Sequence, residues 1–343
     1  MQLDALDRRV IDQLGEDGRR SYARIAAALG VSTNTVKLRI ERLRSTGVCR
    51  VLGVVNPEKL GYGTDVFLGL KIAAGRAAAV EEALSGLAEA YWIAHTVGSF
   101  DMLVELVVRS PSEAFAVMAR ELSPLSGLVA MESFLVTHKT WWRPMEWRPP
   151  LEGELGSFAE TWDVPRWTGG RAGAQQHRAD RRDFAAPVQL DDIDYGIITL
   201  LQEDGRRSAV DVAQIVGAGH STVKRRIDAL LETGVCKVLG VISPQAAGFS
   251  MLALIGLTVD PAKMVAVAEA LVRLPQVLMV SHLIGRFGLL IEVRLRDANE
   301  LFEFIPAQLR PIPGVQSSEA IVVTSDIPWR PSTWRPPDSP IFN

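Results

Sequence analysis

Residues 31–50 read VSTNTVKLRIERLRSTGVCR, and this stretch decides the fold because it predicts one amphipathic helix. Apolar Val36, Ile40 and Leu43 recur at helical spacing, which places them on a single buried face. Ser32 is the predicted N-cap of this helix. The opposite face carries short polar side chains in the first turn and cations further along.

The same stretch occurs twice in the chain, at a constant offset of 187 residues. Residues 16–21, EDGRRS, return as residues 203–208, and residues 147–150, WRPP, return as residues 334–337. A gap-free repeat of about 150 residues is too long for a solenoid unit. The chain is therefore predicted to hold two copies of one module in tandem.

Each module begins with a pattern of three short helices. In the first module, the apolar face of the first predicted helix ends at Leu14, and Ser21 is the predicted cap of the second helix. A tight turn that begins at Gly30 leads into the third helix, which is the one described above. Three short helices with such a turn indicate a helix-turn-helix. A generic helical bundle is the alternative interpretation.

The exposed face of the third helix suits the major groove of DNA, because short polar side chains in the first turn are followed by cations. The predicted DNA-contacting residues are Thr33, Asn34, Lys37, Arg39 and Arg44 in the first module and His220, Ser221, Lys224 and Arg225 in the second. Each of them has a solvated or phosphate-facing alternative. Arg39 has a further alternative role as part of an ion pair within its module. This alternative arises because the second module has an arginine, Arg226, at the same position.

Downstream of each helix-turn-helix the apolar pattern changes to one typical of strands. A connecting strand is followed by strand, helix, strand, strand, helix and strand, which is the ferredoxin-like βαββαβ order. The predicted fold class is α+β, with two copies of a helix-turn-helix plus a ferredoxin-like domain. The predicted boundaries are 1–47 for the first helix-turn-helix, 48–150 for its connecting strand and ferredoxin-like domain, 151–187 for a linker, 188–234 for the second helix-turn-helix and 235–343 for the second connecting strand and ferredoxin-like domain.

Charge is distributed unevenly between the two modules. The 343-residue chain has a formal net charge of −3, but residues 1–60 carry +4 and residues 188–247 carry −2. If both modules touch DNA, the first is expected to supply more of the attraction to phosphates. Cys49 and Cys236 occupy equivalent positions and are expected to be small buried residues, with a disulfide or a metal site as the alternative.

Two further features concern compartment and packing. The chain has no run of eighteen apolar residues, and its first residues lack a basic region with an apolar core, so we expect a cytoplasmic location. Each module ends in Trp-Arg-Pro segments, at Trp142 and Trp147 and again at Trp329 and Trp334. We interpret them as packing straps, with a partner-recognition segment as the alternative.

The ordered set of motifs resembles the Lrp/AsnC family of transcription regulators. In the first module the resemblance rests on Leu6-Asp7, on residues 31–43, on Gly47-Val48 and on the Gly98-Ser99-Phe100-Asp101 turn. It implies a ferredoxin-like effector domain of the RAM type, double-stranded DNA and an amino acid-like small molecule as partners, and homo-oligomers built from dimers or pseudo-dimers. No cofactor, metal, membrane or catalytic residue is implied.

The resemblance places the effector near the Gly-x-x-Asp turn, which here maps onto Gly98 and Asp101. Asp101 has a structural alternative, since aspartate often caps tight turns. The second module lacks this carboxylate, because Gly288 stands at the equivalent position.

The sequence is also compatible with two alternative functions. Some heme-pathway decarboxylases of the siroheme type resemble the same fold, and His95 and His282 stand at matching positions ahead of the two glycine turns. An effector-binding protein without DNA binding is the other alternative, and it is favoured by the acidic second module.

Overall fold

The structure is a computed structural model that describes residues 3–142, 187–243, 248–326, 334–337 and 339. The predicted linker lies outside the described residues except for Pro187, and so do Trp147 and Trp329. In the first module the elements are helices α1 (Ala5–Glu16), α2 (Tyr22–Leu29) and α3 (Thr33–Ser45), strands β1 (Cys49–Val55) and β2 (Thr64–Ile72), helix α4 (Ala77–Ser85), strands β3 (Ala90–Val97) and β4 (Met102–Val108), helix α5 (Pro111–Val117) and strand β5 (Leu128–Trp142).

The second module repeats this order. Its elements are helices α6 (Asp192–Glu203), α7 (Ala209–Val216) and α8 (His220–Glu232), strands β6 (Cys236–Ile242) and β7 (Met251–Val259), helix α9 (Met264–Val272), strands β8 (Val277–Ile284) and β9 (Leu289–Leu295), helix α10 (Ala298–Phe304) and strand β10 (Val315–Asp326). Helices α5 and α10 each continue into a π-helical turn, Met118–Leu122 and Ile305–Leu309.

Side-chain caps and apolar stripes explain the helix-turn-helix. The Ser32 hydroxyl accepts a hydrogen bond from the Thr35 N–H at 3.0 Å, as expected of an N-cap. Val36, Ile40 and Leu43 are buried against the other two helices. The helical stripe read from the sequence is therefore the core side of α3.

The connecting strands β1 and β6 form a two-stranded antiparallel ribbon between the modules. Leu52 lies opposite Leu239, its own repeat, so a pseudo-twofold axis passes between these two residues. Each ribbon strand packs closely against the other module at a glycine. A Cβ at Gly240 would lie 2.6 Å from Leu14 Cβ, and a Cβ at Gly53 would lie 3.0 Å from Leu201 Cβ. The ribbon thus fixes the two helix-turn-helix units to each other.

The remaining strands form two ferredoxin-like sheets, β3-β4-β2-β5 and β8-β9-β7-β10. Pairing of β5 with β8 and of β10 with β3 joins them into a closed eight-stranded barrel. The inner faces share an apolar core that includes Phe67, Phe134 and Phe287. The two modules of the chain therefore pair as the two halves of one pseudo-dimer.

The last strand of each module extends further than the sequence pattern indicates. The pattern predicts strands over 128–137 and 315–323, whereas β5 continues to Trp142 and β10 to Asp326. These extensions pair with the other module, with Trp142 opposite Met279 and Asp326 opposite Ala94. The sequence could not predict these extensions, because pairing with a distant strand produces no periodic pattern in the local sequence.

Trp334 acts as a packing strap, as predicted. Its side chain is buried, its indole N–H donates to the Ala88 carbonyl at 2.9 Å, and its own carbonyl accepts from the Gln202 amide at 3.0 Å. It therefore bridges the first ferredoxin-like domain and the second helix-turn-helix. Among the described residues no helix has both the length and the apolar composition that a bilayer crossing requires.

Candidate nucleic-acid interface and effector turn

Three of the predicted DNA contacts lie together at the start of α3. Thr33, Asn34 and Lys37 are exposed, and the Lys37 amine is 3.8 Å from the Glu41 carboxylate, which leaves it at the surface. Leu38 is 57% exposed beside them and offers an apolar contact to the same surface. This face combines short hydrogen-bonding groups, one cation and one apolar side chain, a set that suits base edges in a major groove.

Arg39 does not belong to this face. Its guanidinium contacts Asp4 and lies 2.9 Å from Asp7 Oδ1, and Asp7 is fully buried. The hydrogen bonds that Arg39 donates to these two carboxylates raise its pKa, and the bond from Arg39 is the main reason that the pKa of Asp4 is lowered. Arg226 repeats the arrangement with Asp191 and Asp194, so we replace the base-reading role of Arg39 with an ion pair inside the module.

Arg44 also has a structural partner. Its Nη2 atom lies 2.9 Å from Asp204 Oδ2, at the C-terminal end of α3 and far along the helix from Thr33. Asp204 belongs to the second module, so this ion pair links the two halves of the chain. We therefore assign Arg44 to the contact between modules and not to base reading.

The predicted contacts of the second module all lie on the surface of α8. His220, Ser221, Lys224 and Arg225 are exposed. Helix α8 begins after Gly219, which provides no side-chain cap. Arg225 occupies the position of Leu38, so the two reading faces differ in both charge and hydrogen bonding.

A reciprocal pair of arginines holds the two helix-turn-helix units together. Arg19 Nη1 donates to the Gly205 carbonyl at 2.7 Å, and its repeat Arg206 donates to the Gly18 carbonyl at 2.7 Å. Arg206 also lies over the Tyr22 ring at 4.6 Å. Burial, and then the charge of Arg206, lower the pKa of Arg19. The repeated EDGRRS stretch was the available signal for this contact, but the sequence did not reveal its partners.

The predicted effector turn of the first module requires a glycine at its first position. Gly98 has a φ of 139°, and a Cβ there would lie 3.1 Å from the Ala320 carbonyl of the other module. Asp101 Oδ2 accepts from the Ile72 N–H at 2.8 Å, while Oδ1 lies 3.6 Å from the Lys71 amine. One carboxylate oxygen therefore caps strand β2, and the half-exposed side chain leaves the other close to solvent.

The second module keeps the turn without the carboxylate. The Gly288 N–H donates to the Leu257 carbonyl at 2.9 Å, as the Asp101 N–H donates to the Leu70 carbonyl at 2.9 Å. The backbone of the turn therefore does not depend on Asp101. What the second module loses is an acceptor that faces solvent.

The two matched histidines have different neighbours. His95 Nε2 lies 2.7 Å from Glu81 Oε2, whereas the His282 ring lies 5.7 Å from the His138 ring of the other module. Burial and the neighbouring His138 lower the pKa of His282 to about 4. Within the described ranges, no group of three or more His, Cys, Asp or Glu side chains is arranged to hold a metal ion.

Both cysteines are buried and free, and burial raises the pKa of each to about 12. They are packing residues of the ribbon strands β1 and β6.

Domain models match both modules, and curated relatives match a stretch of the chain about as long as one module. An AsnC-type helix-turn-helix domain matches residues 3–44 and 190–231, and an Lrp/AsnC ligand binding domain matches residues 65–144 and 252–331. An uncharacterized HTH-type transcriptional regulator of Pyrococcus abyssi is 37% identical over 143 residues, which are 41% of this chain and 90% of that protein. The regulatory protein AsnC of Escherichia coli is 27% identical over 139 residues, 39% of this chain and 90% of that protein.

One solved structure matches both modules at once. The siroheme decarboxylase NirDL superposes with a TM-score of 0.61 at 12% identity and covers 94% of this chain and 91% of that chain. At this identity the match establishes a shared fold and nothing about chemistry.

Paired helix-turn-helix units on paired ferredoxin-like domains define a class of protein, the DNA-binding regulator with built-in ligand-binding domains. Within that class the chain belongs to the Lrp/AsnC family of transcriptional regulators, with the family's unit present twice in one polypeptide.

Proposed function

We propose that this regulator reads an asymmetric DNA site with two different helices held at a fixed spacing by one chain. The observation that carries the proposal is the pseudo-twofold pair of exposed helix starts, at Thr33 in α3 and at His220 in α8. Dimeric helix-turn-helix proteins place such helices in successive major grooves. Here the two faces differ, so the two half-sites are expected to differ as well.

Each half-site is assigned its own readers. Asn34 suits an adenine edge, and Lys37 suits guanine or a phosphate. In the second module Arg225 suits guanine, with His220 and Ser221 next to it. The +4 charge of residues 1–60 supports a larger phosphate attraction for the first module.

Selection from random DNA at a stated salt concentration tests this proposal. We expect a bipartite site with two unlike halves, and Asn34→Ala should weaken binding by roughly 5- to 150-fold through one half only. Arg225→Ala should act on the other half. Arg120→Ala is the matched control, because Arg120 is exposed on the effector domain beside Glu121. A palindromic site, or equal effects of Asn34→Ala on both halves, would contradict the proposal, and no binding at all would favour an effector-binding protein without DNA binding.

We further propose one effector site per chain, at the Gly98–Asp101 turn, for a small molecule with an ammonium group such as an amino acid. Support comes from the half-exposed Asp101 carboxylate, which Gly288 replaces in the second module. Calorimetric titration with amino acids should give one site per chain. Asp101→Ala should abolish that heat, and Arg120→Ala, on the exposed surface of the first effector domain beside Glu121, should retain it.

Assembly and location belong to the same proposal. Phe115 and Phe302 are repeats of each other and are 70% and 83% exposed, which suits a contact between pseudo-dimers in a larger homo-oligomer. A DNA-binding regulator of this family is expected to act in the cytoplasm. Light scattering with and without candidate amino acids measures whether the assembly responds to effector.

A siroheme-type decarboxylase is the second candidate, favoured by the whole-chain likeness to NirDL and by the His138–His282 pair between modules. Adding siroheme to the purified protein separates the two candidates. An absorbance shift that is lost in His282→Ala would favour the enzyme, and an unchanged spectrum with intact DNA binding would favour the regulator.

A further inference from the structure

One arginine serves two equivalent glutamates at the glycine-turn end of the barrel. Glu132 and Glu319 are repeats of each other, on β5 and β10. Arg286 Nε lies 3.1 Å from Glu132 Oε1, and its Nη2 lies 2.9 Å from Glu319 Oε1. The arginine therefore joins a carboxylate of the first module to one of the second.

The position equivalent to Arg286 in the first module is Ser99. Ser99 donates its hydroxyl hydrogen to Glu319, and Arg286 Nη2 lies 3.3 Å from the same hydroxyl. Arg286 also lies 4.5 Å from the Phe287 ring centroid and 5.3 Å from that of Phe100, which are again repeats of each other. Both modules therefore contribute equivalent residues to this site. The exception is the pair of positions 99 and 286, of which only Arg286 is a cation.

At the other end of the barrel interior, a second charged cluster surrounds Lys139 of the first module. The Lys139 amine lies 2.9 Å from Asp65 and 2.9 Å from Glu105. Glu292, the repeat of Glu105, is close enough to contribute to the raised pKa of Glu105, of which burial is the main cause. The residues equivalent to Lys139 and Asp65 in the second module are Asp326 and Leu252.

We propose that these two clusters, the arginine lock around Arg286 and the lysine lock around Lys139, make the first module pair only with a second module. Two first modules would bring together two copies of Glu132 with Ser99 in place of the arginine. Two second modules would bring together two copies of Glu292, and Asp326 stands at the position of Lys139 in each of them. Like charges left facing each other at an interface disfavour the wrong partner.

This inference rests on the proposed function for its consequence. If first modules paired with first modules of other chains, each pair would present two identical reading helices and a symmetric site. Pairing of unlike modules keeps one α3 and one α8 in every pseudo-dimer. The two locks therefore ensure that each pseudo-dimer presents two different DNA-reading helices.

Cysteine pairs in the full-length chain report which modules have paired. Leu135 lies opposite Ile284, and Val97 lies opposite Val322, the repeat of Leu135. Leu135→Cys with Ile284→Cys should form a disulfide in the pairing of unlike modules. Leu135→Cys with Val97→Cys should form one only between chains, in the pairing of two first modules, because these positions would then be opposed.

After refolding at a fixed chain concentration and oxidation, the Val97→Cys, Leu135→Cys chain should give a small fraction of crosslinked dimer. Adding Arg286→Ser should raise this fraction by on the order of fivefold, the scale of a partly exposed ion pair. Arg296→Ser is the matched control, since Arg296 pairs only locally with Glu300 among the described contacts, and it should leave the fraction unchanged.

The decisive variant moves the arginine across the pseudo-twofold axis. Ser99→Arg combined with Arg286→Ser should raise the crosslinked fraction above that of Arg286→Ser alone, because two first modules would then bring two arginines to the two copies of Glu132. An unchanged fraction in Arg286→Ser, or a swap that does not raise the fraction further, would overturn the proposal. DNA binding is measured separately on the same proteins, so a chain with intact locks and no DNA binding would refute the proposed function alone.

Discussion

The two reading helices occupy equivalent places in the pseudo-dimer but differ in how they begin and in what they present. Helix α3 starts at the side-chain cap of Ser32, whereas α8 follows Gly219 and has no side-chain cap. Leu38 on the first surface is replaced by Arg225 on the second. Beneath these surfaces the same apolar positions are buried in both helices.

Conserved packing beneath divergent surfaces shows where the duplicated chain has been free to change. A homodimer presents every substitution twice, and so its two reading surfaces stay identical. In this chain each surface changes alone while the ribbon of β1 and β6 keeps the spacing. Substitutions at three places in the chain probe how far the difference between the modules extends.

The largest expected effect on stability is at Trp334, which packs against the first module and supports the second helix-turn-helix. The two tyrosines that it contacts in the first module are not repeated in the second. The indole packs against Tyr62 and Tyr91 with ring centroids 5.5 and 6.0 Å away, and the positions equivalent to these tyrosines are Phe249 and Leu278. Trp334→Ala should lower the free energy of unfolding by about 3–5 kcal/mol, because it empties a buried site. Denaturant unfolding measures this.

Trp334→Phe serves as the matched variant, because it keeps most of the apolar volume and loses the hydrogen bond to Ala88. It should cost less than Trp334→Ala. Equal stability of Trp334→Ala and the native chain would mean that this support is dispensable and that the modules are alike in this respect.

An intermediate effect is expected from the matched histidines. The pKa of His282 is about 4 in the folded protein, below its ordinary value near 6.5, so the unfolded chain binds more protons between these pH values. Stability should therefore fall as the pH drops from about 6.5 to about 4, by about 1 kcal/mol from this group after solvent screening. Unfolding by urea at a series of pH values measures the slope.

His282→Gln should flatten that part of the profile, because it removes the group whose pKa differs between the folded and the unfolded chain. A slope that stays the same in His282→Gln would contradict this prediction.

The smallest effect is expected from exchanging the caps. Ser32→Gly and Gly219→Ser should change stability by a few tenths of a kcal/mol in opposite directions, because only serine offers an acceptor to the first turn. Gly219 has a φ of −67° and an open position for a Cβ, so serine fits there without strain. Thermal unfolding of both variants gives the signs, and a loss of stability in Gly219→Ser would refute the capping argument.

Local patterns were sufficient to predict the modules themselves. Helical spacing at Val36, Ile40 and Leu43 predicted α3, and alternating elements predicted the ferredoxin-like order. Strands β4, β8 and β9 have the bounds that the sequence predicted. These features depend on residues close together in the chain.

Contacts between modules could not be predicted in the same way. Arg44 looked like a DNA contact because its partner, Asp204, is 160 residues away in sequence. No role is predicted for Arg286 from the sequence, because its partners Glu132 and Glu319 are distant from it in the chain. Which of the repeated charges meet depends on how the two sheets dock, and no local periodicity records that.

Closure of the barrel has a consequence for how chains meet one another. Among the described residues each of the eight barrel strands is hydrogen-bonded on both sides, so neither sheet offers unpaired backbone groups to a neighbouring chain. Strand addition, a common route to aggregation, is therefore denied to these domains. Within the described residues, stacking of one barrel on another is then left to side chains on its helical flanks.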